Sequence, residues 1–465
     1  MAQHALAPGQ TLRTEGSARP CRVDEFLGGG GQGEVYRADF GGLPVALKWY
    51  LPEWATADQR DALLALVRRR PPSDAFLWPL ELVVADGGAG FGYLMLLREP
   101  RFRSMSELMR RRVDPTFRAL ATAGFGVAHN FLLVHTEGLC YRDISFGNMF
   151  FDPDTGDVLI CDNDNVGVDG ATGLGLLGTP RFMAPEIVRG EAEPSSATDL
   201  FSLAVLLFYM FVMHHPLEGA REHNVAALDM DAMQPLYGTD PVFVFDPRDD
   251  SNRPVAGDQQ NALEFWAMYP ALLHDLFTRA FTDGLRDPGR RVREGEWRQA
   301  MVALRDAIVY CGSCGAETFA DTTGDGAPVA VQKACWSCGQ PVTLPLHLRA
   351  GRSVVMLNHD TVLYPHHIDS DRLYDFTVPV AEVTRHPTDE RIWGLRNLSA
   401  EPWSADVPGH EGRTVEPGDT LRLADDSTIH FGSIDGVIGR SGRKGTPAGR
   451  PRGQRRAAPA GRGKR

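Results

Sequence analysis

At 465 residues the chain is too long for one ordinary core, and two to four domains are expected. Its 43% hydrophobic and 23% charged content excludes fibrous and wholly disordered classes. The net charge of −12 is unevenly placed: residues 441–465 hold nine Arg or Lys and no acid, leaving −21 on the body before them. The longest apolar run, Leu200–Met213, falls short of the ~20 residues a membrane span needs. The opening MAQHALAPGQTLRTEG has no apolar h-region, so a cytoplasmic protein without a membrane span is expected. Seven cysteines in such a chain point to metal binding before a disulfide framework.

In chain order, residues 1–20 read as a flexible leader. From Cys21 to Tyr50 the pattern is strand, glycine loop, strand over Glu34–Phe40, a Gly41-Gly42 turn and an apolar strand over Val45–Tyr50. A helix over 56–70 follows, then strands over Phe76–Val84 and Tyr93–Leu97. Beyond Ser104 the chain turns helical, with apolar-periodic stretches at Phe117–Thr136, Thr198–Met213, Ala262–Ala280 and Glu294–Tyr310. After that come paired cysteines, then strands between Pro and Gly turns: Ser353–Leu357, Thr361–Tyr364, Phe376–Val383, Ile392–Leu398, Thr420–Leu423 and Thr428–Ser433. A β-rich lobe before a helical lobe is an α+β arrangement.

The glycine loop runs Gly28-Gly29-Gly30-Gly31-Gln32-Gly33-Glu34-Val35, a G-x-G-x-x-G-x-V pattern. A strand, not a helix, follows its third glycine, which argues against a dinucleotide-binding crossover. Lys48 lies fifteen residues on, in the strand that would cover the loop. Missing side chains let a backbone close over phosphates, and a buried lysine neutralises them. Downstream, Tyr141-Arg142-Asp143-Ile144-Ser145-Phe146-Gly147-Asn148 sets a carboxylate and an amide five apart, and the apolar Val158–Cys161 ends in Asp162. Phosphoryl transfer needs such a set: one carboxylate to orient a hydroxyl, and another with an amide to hold Mg²⁺. Gly178-Thr179-Pro180, Ala184-Pro185-Glu186 and Asp199 complete the series.

These five motifs in order resemble the eukaryotic-type protein kinases, in their bacterial Ser/Thr branch, over residues 21–308. The resemblance implies a bilobal kinase fold in which Gly28, Gly30, Gly33 and Val35 cover ATP and Lys48 contacts its α- and β-phosphates. It implies Asp143 as catalytic base beside Arg142, and Asn148 and Asp162 as ligands of Mg²⁺ or Mn²⁺. Glu186 would pair with Arg291, Asp199 would brace the catalytic loop, and Thr179 would line a Ser/Thr acceptor site on protein substrates. Three departures stand out. Tyr141 replaces a histidine, Ser145 replaces a lysine, and Asp162-Asn163-Asp164 replaces Asp-Phe-Gly. Asp164 is a solvated or capping carboxylate or a further metal contact. The acid expected on the first helix to pair with Lys48 is missing at its usual spacing; Glu53, Asp58 and Asp61 are what the region offers. Thr172 and Thr179 are the hydroxyls available for loop phosphorylation.

Cys311-x₂-Cys314 and Cys335-x₂-Cys338, each followed by glycine, are two knuckles able to give four thiolates to one structural Zn²⁺. They resemble a zinc ribbon over 309–344, with a loop insert at 321–326. Cys21, Cys140 and Cys161 are unpaired, the last two read as core. Leu395–Ser399, Thr414–Asp419 and Ile429–Gly432 resemble the second half of a forkhead-associated β-sandwich over 345–440, with a binding-loop asparagine at 397. The first half keeps only Arg352 and Ser353 as a remnant of the recognition set, which implies a protein-contact module in preference to a phosphothreonine reader. His366 and His367 read as surface histidines. The tail over 441–465 is expected to be disordered and capable of nonspecific polyanion contact. The resulting expectation is a Ser/Thr protein kinase with C-terminal interaction modules. A pseudokinase scaffold and a nucleic-acid-associated adaptor stand as alternatives.

Overall fold

The computed structural model describes residues 4–85, 90–170, 178–225, 229–322 and 327–441. The expected tail after 441, Thr172, and residues 323–326 of the expected insert lie outside them. Asp321 and Thr322, placed in a loop by the sequence, are instead the end of strand Glu317–Thr322.

Six antiparallel strands open the chain: β1 (Thr11–Thr14), β2 (Pro20–Gly29), β3 (Gly33–Phe40), β4 (Leu43–Tyr50), β5 (Glu81–Val84) and β6 (Phe91–Leu96), closed as β1-β2-β3-β4-β6-β5. The Gly41-Gly42 hairpin turn needs positive φ at both residues (66° and 88°), which glycine supplies without strain. Inward residues Val23, Tyr36, Ala38, Val45, Leu47 and Leu94 fill one core. Register sets Lys48 of β4 between Val35 of β3 and Tyr93 of β6. The leader expected over 1–20 is corrected from residue 4 on. Leu6 and Leu12 are buried in this core, and β1 pairs with both β2 and β5. A four-residue strand between Gly-containing turns is too short to show its period. The strand expected over Phe76–Val84 shrinks to β5, with Phe76 bridging Ile160 across the lobes.

Helix α1 (Ala57–Val67), capped by Thr56, packs on this sheet through Leu63, while Leu66 joins the core of the second lobe beside Phe76 and Trp78. The second lobe is built around the Phe117–Thr136 and Ser196–Val212 helices, and every residue of the latter from Thr198 on is buried. Among the described residues the Phe117–Thr136 helix, not Leu200–Met213, is long and apolar enough to cross a membrane by length and composition. Over half of it is buried inside the lobe, in one core with Phe208, Phe277, Trp297 and Met301. Pro270 divides the helix expected over Ala262–Ala280 into Gln260–Trp266 and Ala271–Ala280.

The Glu294–Asp306 helix hands over to a three-stranded sheet of Ile308–Tyr310, Glu317–Thr322 and Pro328–Ala330 that carries the cysteine knuckles. Two further antiparallel sheets follow. One runs Ser353–Met356, Leu346–Ala350, Asp435–Arg440, Ser427–His430, Trp403–Val407, His410–Val415. The other runs Val362–Leu363, Ala381–Arg385, Trp393–Asn397, Thr420–Arg422. Leu348, Ala381, Leu395, Trp403, Leu421 and Ile429 fill the space between them.

The β module is fastened to the helical lobe. His367, buried and not on the surface as expected, meets Asp306 at 3.3 Å. Arg305 lies over Phe376 (4.2 Å) and Arg298 over Tyr374 (4.1 Å).

Candidate active site

Between the lobes lies a cleft of about 780 Å³. Leu27, Val35, Ala46, Met95, Leu97 and Phe150 line it with apolar surface, and Lys48, Asp143, Asn148 and Asp162 bring charge and polarity. The glycines of the β2–β3 loop do two different jobs. A Cβ at Gly28 or Gly30 would meet nothing within 4 Å, so these positions leave room over the cleft. A Cβ at Gly33 would stand 2.4 Å from the Trp49 carbonyl oxygen, so that glycine is required by the neighbouring strand.

The loop after strand Leu139–Cys140 is fixed by its own residues. Asp143 Oδ1 accepts from the Thr179 hydroxyl at 2.7 Å. Asn148 Nδ2 donates to the Asp143 carbonyl (2.8 Å) and to Oδ2 (3.1 Å), which spends its nitrogen and leaves its amide oxygen for a cation. Asp199 accepts the backbone N–H groups of Tyr141 and of Arg142 (3.0 Å). The Tyr141 hydroxyl donates to the Cys161 carbonyl, so the residue replacing the expected histidine ties the loop to the segment carrying Asp162. Arg142 itself has φ 74°, and its guanidinium crowds Gly167. Asp162 is also left-handed (φ 51°), and burial pushes its carboxyl up. Cys140 is buried and Cys161 half-buried beside this loop.

His135, which sequence reasoning passed over, bridges Asp199 (3.2 Å) and Glu294. Burial works against its cation, but the hydrogen bonds it donates to the two carboxylates outweigh it and push the imidazole up to about 9. Glu186 and Arg291 pair through two bonds, 2.8 and 2.7 Å, as the resemblance implied. Burial opposes the Glu186 charge, yet Arg291 holds its carboxyl below the usual range.

Lys48 differs from expectation. Glu53, Asp58 and Asp61 are all exposed and none reaches it. Its Nζ instead meets Asp164 Oδ2 at 2.9 Å and Oδ1 at 3.1 Å, with Asp162 at 3.4 Å and the Gln32 amide oxygen at 3.2 Å. Asp164, read as a solvated or capping carboxylate or a metal contact, is neither solvated nor a cap: its side chain is 0% exposed. It also accepts from the hydroxyls of Tyr50 and of Tyr93 (2.9 Å). Burial disfavours its charge, but Lys48 and the tyrosines hold the carboxyl below the usual range. The legible signal was strand parity, because Tyr50 lies two residues from Lys48 and shares its face of β4.

In the cysteine module the four Sγ atoms of Cys311, Cys314, Cys335 and Cys338 lie within 4.8 Å of one another. The two knuckles repeat one geometry. Gly315 (φ 77°) and Gly339 (φ 71°) turn the chain so that their N–H groups reach the Cys311 and Cys335 carbonyls, at 2.9 and 2.8 Å. Backbone N–H groups of Cys314 and Ser313 lower the Cys311 thiol, while at Cys338 the Gln340 N–H is outweighed by the neighbouring sulfurs, which raise that thiol, so the cluster titrates as one group.

In the β module, Asn397 does not face a ligand as the resemblance implied. It is fully buried, donating to the carbonyls of Glu401 (2.9 Å) and Val415 (3.1 Å) and shaping its own loop. Arg352 is exposed and Ser353 half-buried.

Residues 101–266 match the protein kinase domain family. That span holds Asp143, Asn148, Asp162, Glu186 and Asp199, while the glycine loop, Lys48 and Arg291 lie outside it. The chain is 28% identical over 213 residues to serine/threonine-protein kinase PknK of Mycobacterium bovis, a match covering 44% of this chain and 18% of that protein. It is 30% identical over 213 residues to the DNA damage-responsive serine/threonine-protein kinase RqkA of Deinococcus radiodurans, covering 43% and 31%. Over 119 residues it is 34% identical to protein kinase C zeta type of Oryctolagus cuniculus, covering 24% and 19%. The chain thus spans less than a third of the length of each of these relatives. The matched segment is similar to a protein kinase domain, and the two lobes seen here agree with the bilobal fold of that family.

Proposed function

We propose that the protein is a Ser/Thr protein kinase of the bacterial eukaryotic type, moving the γ-phosphoryl group of ATP to hydroxyls of protein substrates. The observation that carries this reading is the meeting of Lys48, Asp143, Asn148 and Asp162 in one cleft under the glycine loop, with Thr179 bonded to Asp143. Asp143 Oδ2 would orient the acceptor hydroxyl and take its proton, while Thr179 and Asn148 fix the rotamer of the carboxylate. Lys48 would hold the α- and β-phosphates, and the open backbone at Gly28 and Gly30 lets the loop approach them. Asp162 and the freed oxygen of Asn148 are oxygen donors suited to Mg²⁺ or Mn²⁺, which when bound neutralises phosphate charge. Ser145 leaves the γ-phosphate without the lysine usual in Ser/Thr kinases, so more of the neutralisation falls on Lys48 and the metal.

The four-thiol cluster is read as a structural zinc site in a ribbon, supported by its closed tetrad and paired knuckles. The β module is read as a forkhead-associated-like protein-contact domain, supported by its two packed antiparallel sheets. The buried Asn397 counts against phosphothreonine recognition.

The test is phosphoryl transfer itself, with ATP and Mg²⁺ or Mn²⁺, wild type beside Asp143→Asn, and phosphate located by mass spectrometry. Phosphate on Ser or Thr in the wild type alone is expected. Equal incorporation in both would remove Asp143 as the base. No incorporation together with no nucleotide binding would leave a scaffold.

A further inference from the structure

We propose that Asp164 is the acid that positions Lys48 in this protein, the task having left helix α1 for the turn that carries Asp162. The proposal rests on the kinase reading for what Lys48 does, and on geometry for what holds it.

Lys48 is nearly sealed, with a side chain 5% exposed, so its cation needs a buried counter-charge. Two carboxylates reach it. Asp162, at 3.4 Å, is about one-third exposed toward the cleft, where a metal would engage it. Asp164, at 2.9 Å, has no exposure at all and holds the ammonium with both oxygens. Three donors converge on it through four hydrogen bonds, because Tyr50 and Tyr93 fill what Lys48 leaves open. Such a carboxylate has one orientation, and it transmits that orientation to Lys48.

Helix α1 contributes no charge to this arrangement. Its buried polar residue is Gln59, a neutral amide that donates to the Tyr50 hydroxyl at 3.1 Å and so touches Asp164 only through a tyrosine. The consequence is regulatory as well as structural. The Lys48 anchor and the metal carboxylate sit two residues apart, with Asn163–Asn165 forming a single helical turn. Displacing α1 would take no charge from Lys48, whereas a rearrangement of this turn would remove anchor and metal ligand together.

The test has two arms. In steady-state transfer, Asp164→Asn should lower kcat about 100-fold with the KM for ATP within about threefold, the signature of a misplaced group and not of lost binding. Asp61→Asn, which removes an exposed helix acid, should behave as wild type. Wild-type kcat in Asp164→Asn would overturn the proposal. The second arm is a double-mutant cycle of Lys48→Met and Asp164→Asn in denaturant unfolding. The pair should lose less stability than the single losses added, since neither charge is left alone. Additive losses would overturn the proposal. If Asp164→Asn alone does not fold, recovery of folding by adding Lys48→Met supports the anchor, and no recovery overturns it. A wild type that neither transfers phosphate nor binds nucleotide sinks the kinase reading separately, and the unfolding cycle still decides whether Asp164 is the partner of Lys48.

Discussion

His135 gives the sharpest prediction because its chemistry is confined and its sign is fixed. The imidazole stands between Asp199, which holds the catalytic-loop backbone, and Glu294 at the start of the last helix of the lobe. It rises from an ordinary 6.5 to about 9 on folding. Between those values the native state keeps a proton that the unfolded chain has released, so stability falls as pH rises. The contribution is complete below about 6.5 and gone above about 9, and for this displacement it amounts to about 3 kcal/mol. The site is nearly buried (9% exposed), so solvent screening takes little of it. The perturbation is His135→Gln, which retains a donor and removes the titration. Urea unfolding at pH 6.5, 7.5, 8.5 and 9.5 should show the wild type losing about 3 kcal/mol more than the variant across the series. Identical slopes would refute a protonated His135 bridge. Because Asp199 holds the Tyr141 and Arg142 amides, phosphoryl transfer should decline over the same window in the wild type.

Glu186→Ala strands the buried guanidinium of Arg291 and should cost about 3 kcal/mol in denaturant unfolding; a loss under about 1 kcal/mol would show the pair to be replaceable. Gly33→Ala forces a methyl toward the Trp49 carbonyl and should cost about 1–3 kcal/mol. Gly30→Ala, with open space around it, should stay within about 0.5 kcal/mol in stability while weakening nucleotide binding; equal effects on stability would refute the division of labour. Purified protein should hold one zinc by elemental mass spectrometry. Cys314→Ser should lose that zinc and lower the melting temperature, and a metal-free wild type with unchanged melting in chelator would remove the zinc reading.

What could be read from the sequence follows the range of the interactions involved. Asp143, Asn148, Asp162 and Thr179 were legible because their partners lie on short loops with fixed offsets, and the Glu186–Arg291 pair because motifs marked both ends. The cysteine tetrad was legible for the same reason, since two C-x₂-C pairs followed by glycine repeat one local turn. Residues 4–20 were misread because β1 is only four residues long and draws its stability from Val83 and Val84 on β5, some seventy positions away. His367 was misread because nothing local says that Asp306, sixty-one residues earlier, comes to meet it.

Lys48 shows how far that limit reaches into function. Helix α1, where a fixed spacing ordinarily brings an acid to the strand, carries Asp58 and Asp61, with Glu53 before it, and all three are exposed. The true counter-charge is 116 residues away, at the third position of Asp162-Asn163-Asp164. In isolation that aspartate reads as a defect in a motif. With Tyr50 on the face of β4 that Lys48 occupies, and Tyr93 opposite Lys48 on β6, the strands had already built a hydrogen-bonding pocket for an anion on one side of the lysine. Two tyrosine hydroxyls buried beside a buried lysine are costly unless an acceptor reaches them. The helix could supply only an amide, so the acceptor had to come from the segment crossing between the lobes. The missing helix acid, the two tyrosines beside Lys48 and the aspartate at 164 therefore fit together as one arrangement. Reversing the aspartate alone, by Asp164→Gly, should leave the protein worse placed for phosphoryl transfer and not closer to an ordinary kinase.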